Sequence, residues 1–169
     1  MKLPRTVTLV VLLAGCSARG GAPAVKSPPT APGRPLLVSL QRDSCFGWCP
    51  AYRVDIDVDG TVRYEGRGAV CKDEASDRLP SAKLQALRAA IARSNFASTP
   101  EHCCDCPVSD VSAATITVAD PPPAKTIVDA GDSCPGAPLS ISKLADDIDA
   151  IVDIERWIGT DDERANCWF

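Results

Sequence analysis

The chain has 169 residues, with 18 Lys and Arg against 22 Asp and Glu and a formal net charge of −4. Once a leader is set aside, that length suits one domain with its own core, not two. A mildly acidic chain without a basic patch argues against nucleic acid as a partner.

Lys2 and Arg5 form a basic start, and residues 7–13 form an apolar run. The run is far shorter than the roughly 20 residues that cross a bilayer, so it has the pattern of a signal peptide and not of a span. It leads into Leu13-Ala14-Gly15-Cys16, which resembles the lipobox of bacterial lipoproteins. The resemblance implies cleavage before Cys16, thioether lipidation of its sulfur and acylation, as with palmitate, of the freed amine. Two or more acyl chains make a stable anchor where one gives only marginal binding. Ser17 follows the cysteine instead of Asp, which by the same resemblance implies the outer membrane of a bacterial cell envelope, facing the periplasm. Residues 1–15 are therefore read as a lipoprotein signal peptide. Their removal takes away Lys2 and Arg5, moving the formal charge from −4 to −6.

Nine cysteines are present. With Cys16 given to lipid, the remainder is even: Cys45, Cys49, Cys71, Cys103, Cys104, Cys106, Cys134 and Cys167. An even set in an exported chain reads as a disulfide framework. Of the 105 pairings that eight cysteines allow, the expectation is Cys106 with Cys134, Cys71 with Cys103 or Cys104, and the other of those two with Cys167. Cys45 and Cys49 would close the turn between them.

Residues 16–35 form a lipid-anchored linker rich in Pro and Gly, with too few large apolar groups to offset the entropy of ordering. A single domain is expected over residues 36–159, followed by an acidic tail at 160–169 tied by Cys167. Residues 36–41 are a first strand candidate, followed by the turn Cys45-Phe46-Gly47-Trp48-Cys49-Pro50. From Tyr52 to Val58 apolar and charged residues alternate, the mark of a half-buried strand with Asp55 and Asp57 on the solvent face. A two-residue Asp59-Gly60 turn would set apolar against charged side chains across the hairpin. A three-residue loop, Val58-Asp59-Gly60, instead pairs Ile56 with Val62 and Val54 with Tyr64, and burial selects that register. A loop carrying Cys71 follows Gly66-Arg67-Gly68.

Ser81 is the expected N-cap of a helix bearing Leu84, Leu87 and Ile91 and ending near Asn95. Residues 96–110 are irregular and include His102-Cys103-Cys104-Asp105-Cys106. Residues 113–118 and 125–129 read as strands around Pro121, Pro122 and Pro123. A second helix starts near Ser140 or Ser142, carries Leu144, Ile148, Ile151 and Val152, and continues through Trp157 and Ile158 to Gly159. The order β-β-β-α-β-β-α makes an α+β domain: a small antiparallel sheet of about five strands, with two helices packed on one face and disulfide staples.

At Cys45-Phe46-Gly47-x-Cys49-Pro50-x-Tyr52, with Asp59-Gly60-Thr61-Val62 and Tyr64-x-Gly66 downstream, the chain resembles a bacterial family, the domain of unknown function 6438. Its members are often exported lipoproteins, and the resemblance covers roughly residues 36–157. It implies the fold and brings no activity, cofactor or catalytic residue with it.

Asp55-x-Asp57-x-Asp59-Gly60 copies the start of an EF-hand loop, but the position for the bidentate Glu is Gly66 and the flanks alternate as strands. No Ser/His/Asp arrangement, phosphate loop or dinucleotide fingerprint is present. The expected function is therefore a non-enzymatic binding or structural module, without metal or cofactor. It would be held at the membrane through Cys16 and meet a protein or envelope component, with Trp48 as the candidate contact; the other reading of Trp48, in so constrained a turn, is an indole that caps the edge of the core. The alternative is a periplasmic metal-binding or thiol-redox protein that uses Cys103, Cys104 and Cys106 or the Cys45/Cys49 pair.

Overall fold

A computed structural model describes residues 35–101, 112–129 and 138–167. These form a six-stranded antiparallel sheet with helices on one face: β1 (Leu36–Arg42), β2 (Ala51–Asp57), β3 (Thr61–Gly68), β4 (Glu74–Arg78), β5 (Ala114–Val118) and β6 (Lys125–Asp129), in the order β4-β3-β2-β1-β5-β6. The helices are α1 (Ser81–Arg93), α2 (Leu139–Val152), α3 (Glu155–Ile158) and α4 (Asp161–Asn166). The α+β class is as expected, with one strand more than anticipated. That strand, β4, reads Glu-Ala-Ser-Asp-Arg and has no apolar alternation. It is an edge strand, almost wholly exposed, and edges are commonly charged because they need only one partner and must deter a second.

The β2–β3 hairpin adopts the three-residue loop. Val54 faces Tyr64 and Ile56 faces Val62, so the apolar positions of both strands share one face. Gly60 sits at φ 85°, a left-handed conformation that a side chain would strain, and its N–H donates to Asp57 O at 2.9 Å. The face turned away from the helices differs from expectation. Asp57 is completely buried, and Arg63 donates to both of its carboxylate oxygens. Long side chains lie flat there: Arg53 reaches Asp55 at 2.9 Å, and Arg67 reaches Glu65 at 3.3 Å. The alternation rule puts these residues on that face correctly, but an arginine lying along the sheet shields a carboxylate from water.

On the helical face, Val38, Leu40, Val54, Ile56, Ile116 and Ile127 meet Leu87, Ile141, Leu144, Ile148 and Val152, all of them buried. Both long helices cross the strands. α1 lies over the end with the hairpin turn, where Arg88 reaches Val58 O at 3.3 Å and Asp120 at 3.0 Å. α2 lies over the other end, where Ser142 donates to Asp129 at 2.6 Å and Asp149 meets Arg42 and Tyr52.

Helix boundaries also depart from expectation. Pro80, not Ser81, stands at the N-cap of α1, and no side chain caps that end. α2 begins at Leu139 and stops at Asp153, whose φ of 58° leaves the helical range, so Trp157 belongs to a separate turn, α3. The tail is helical over α4. Thr160 and Glu163 form a reciprocal capping box, which draws the Glu163 carboxyl below its usual range through its bonds to the Thr160 backbone and hydroxyl.

Candidate functional site: a disulfide-closed aromatic loop

The β1–β2 connection leaves the sheet at the pair Arg42–Tyr52. It is pinned at its start: Asp43 N–H donates to Ala113 O at 2.9 Å, Ser112 Oγ donates to Asp43 O at 3.0 Å, and Gln41 Nε2 donates to Asp43 Oδ1 at 2.7 Å. A disulfide then joins Cys45 to Cys49, with Cα atoms 5.5 Å apart. Gly47, between them, has φ 151° and donates its N–H to Cys45 O at 2.9 Å. The nearest obstacle to a Cβ there is Cys45 Sγ at 3.7 Å, so glycine is needed for its backbone conformation and not for space. The closed loop holds Phe46 93% exposed and Trp48 68% exposed. Trp48 therefore does not cap the core.

Beneath the loop, one carboxylate holds both of its strands. Asp149 of α2 accepts from Tyr52 Oη at 2.7 Å through Oδ1. Through Oδ2 it accepts from Arg42 Nε at 3.1 Å and Nη2 at 2.8 Å. Arg42 Nη2 also reaches Asp146 at 2.8 Å. Burial pushes the Asp149 carboxyl above its usual range, against the pull of Arg42 and the hydrogen bond from Tyr52. Burial, then the charge of Asp149, pushes the Tyr52 phenol well above its usual value, so it stays a proton donor. Burial works against the charge of Arg42, yet Asp149 and Asp146 outweigh it and hold the guanidinium more firmly protonated. The arrangement is a clamp. Its groups are spent on one another.

Next to the clamp, Tyr64 lies between Tyr52 and Trp157, with ring centroids 5.9 and 5.2 Å away. Its hydroxyl is the one buried side-chain polar atom without a hydrogen-bond partner among the described residues. Burial and the nearby Asp73 keep that phenol neutral.

The second described disulfide joins Cys71 to Cys167, 96 positions apart, with Cα atoms 5.1 Å apart. This corrects the expected pairing of Cys71 with Cys103 or Cys104. The reason is α4, which folds the tail back onto the loop after β3, where Cys71 N–H donates to Ile158 O at 3.1 Å. Gly159, at φ 80°, permits that approach, since a Cβ would stand 2.6 Å from Cys71 Sγ. Cys16, His102, Cys103, Cys104, Cys106 and Cys134 lie outside the described residues, and with them the cluster on which a metal or thiol reading would rest. Cys45 and Cys49 are joined in a turn between strands, not at a helix N-terminus where a thiolate would be favoured. Among the described residues no group of three or more His, Cys, Asp or Glu is placed to hold a metal ion. The EF-hand-like carboxylates are occupied by arginines: Asp55 by Arg53, Asp57 by Arg63 and Asp59 by Arg78 at 3.5 Å.

A groove of about 720 Å³ opens at the opposite end of the sheet, between the end of α1 and the β5–β6 turn. Leu37, Ile91, Phe96, Val118 and Pro121 line it. Its cations are committed: Lys125 donates to the carbonyls of Ala97 (2.8 Å) and Thr99, and Arg88 to Asp120 and Val58.

Of the loop, Trp48 and the two cysteines were legible in the sequence. Asp149 was not, because it lies 97 positions from Tyr52 and 107 from Arg42 and sits among other acidic residues of α2. The profile of a domain of unknown function (DUF6438) matches residues 36–152. No curated protein matches the chain.

Proposed function

Since this chain belongs to the DUF6438 family, a domain of unknown function, its role has to be read from its own surface, and we propose that it is a non-catalytic binding module of the bacterial cell envelope. In this reading Cys16 carries the lipid, residues 16–35 are the spacer, and the Cys45–Cys49 loop is the working surface. The observation that carries it is the exposure of Phe46 and Trp48 on a loop locked from both sides. A large apolar side chain left facing water forgoes the stabilisation that burial would give it. Locking them in place removes the conformational entropy that a partner would otherwise have to overcome. Aromatic anchors are the side chains that contribute most at interfaces.

The test uses the mature chain carrying Cys16→Ser, so that no acyl group contributes, mixed with envelope fragments of its host and sedimented. The unsubstituted loop is expected to sediment with the fragments, and the Phe46→Ser/Trp48→Ser variant to stay in solution with unchanged Tm. Equal sedimentation of the two chains would remove the loop from the reading.

A further inference from the structure

We propose that the loop docks on a lipid bilayer, with Phe46 and Trp48 entering the boundary between headgroups and acyl chains; this rests on the loop being the working surface. From Cys45 to Pro50 the loop carries no ionisable side chain apart from the two bonded cysteines. The N–H at its tip, on Gly47, is already used within the loop. No charged side chain need be desolvated when the tip enters an apolar medium.

Shape favours lipid over a protein surface. A phenyl ring that is 93% exposed has almost no protein beside it, so Phe46 projects as a prong. Protein hot spots work inside a collar of neighbouring contacts that shut out water, within interfaces of about 800 Å² per partner. A prong without a collar suits a soft medium that closes around it. The indole of Trp48, apolar with one N–H, belongs to the chemistry concentrated at the membrane–water interface.

Charge limits the depth. Asp43 and Arg42 stand at the base of the loop, and Asp146 beside them has a side chain 72% exposed. Entry therefore stops at the boundary, and the acidic surroundings give no attraction to anionic headgroups. Two aromatic side chains bind a bilayer weakly alone. A chain already tethered makes this second contact intramolecular, at an effective concentration of about millimolar or above. Fully extended, the twenty residues 16–35 reach roughly 60 Å at about 3.3 Å per residue.

The mature chain, with a hexahistidine tag in place of its acyl groups, is held on phosphatidylcholine vesicles containing a nickel-chelating lipid and brominated acyl chains. Bromine is expected to quench a component of tryptophan emission that is missing in Trp48→Phe, is weakened in Phe46→Ser, and survives high salt. Trp157, buried in the core, and Trp168 are common to both chains and provide the background. Identical quenching in the parent and Trp48→Phe, or loss of the component in salt, overturns the proposal. If Phe46→Ser/Trp48→Ser abolishes sedimentation with envelope fragments but no Trp48-dependent quenching exists, the loop docks on a protein or glycan. The docking reading then stands and the bilayer proposal falls.

Discussion

The two ends of the sheet solve opposite problems. At the α1 end, apolar groups withdraw: Leu37, Phe96 and Val118 are buried around the groove. The ion pair there, Arg88–Asp120, is a surface one, with side chains 43% and 37% exposed. At the α2 end, apolar groups are pushed out, and strong constraints hold them there: the Cys45–Cys49 disulfide and the Arg42–Asp149 pair, whose side chains are 25% and 16% exposed, while a second disulfide, Cys71–Cys167, ties down the same end of the sheet. Ordinary packing suffices to bury a side chain. Holding aromatics in water takes covalent and ionic constraints, because the hydrophobic effect works against it.

Removing the constraints one at a time breaks this contrast down, and the largest effect is expected from the longer disulfide. Because the loop it closes spans 96 positions, Cys71→Ser/Cys167→Ser should lower the unfolding free energy by about 4–5 kcal/mol in a urea titration. The Cys45–Cys49 bond closes a loop of only 4 positions, so Cys45→Ser/Cys49→Ser should cost about 2 kcal/mol. Yet the second variant, not the first, should lose sedimentation with envelope fragments. If both lost it equally, the short disulfide would have no special part in presenting the aromatics.

Next in size is the clamp. Asp149→Ala leaves Arg42 and the Tyr52 hydroxyl partly buried and short of a partner, and should cost about 3 kcal/mol by the same titration. Arg88→Ala at the other end should cost less than about 1 kcal/mol, because an exposed pair gains little over water. Equal losses would erase the distinction between the two ends.

The smallest effect is a pH signature. Burial raises the Asp149 carboxyl above its unfolded value, so the folded domain holds that proton more tightly than the unfolded chain. Its contribution is fully present below the ordinary carboxylate range and is lost as pH rises through the raised value. The Tm of the parent should therefore fall relative to Asp149→Asn over that rise. A difference that stayed flat, or moved the other way, would mean that Arg42 outweighs burial at this site.

Much of the fold was legible because its signals are local. A period of two marked β2 and β3, and the need to bury Val54, Ile56, Val62 and Tyr64 together chose one hairpin register over another. Leu144, Ile148 and Val152 marked α2 through their helical spacing. Two further local signals stand in the sequence. Thr160-Asp161-Asp162-Glu163 is a capping box that announces α4, and Phe46 is a second large aromatic inside the same cysteine-bounded turn as Trp48. β4 was illegible for a physical reason, since an edge strand packs little and carries no apolar pattern.

By itself, the sequence determined what depends on neighbours along the chain: the positions of the patterned strands and of the two long helices to within a few residues, the hairpin register, and the short loop between Cys45 and Cys49. Tertiary structure alone decided which distant groups meet. It set Asp149 under Arg42 and Tyr52, folded Cys167 onto Cys71, and laid Arg63 over Asp57 so that a carboxylate expected in water is buried. Periodicity states which face a residue takes. Its partner on that face is set by the order of strands and the path of the helices across them, and no stretch of ten or twenty residues contains that information.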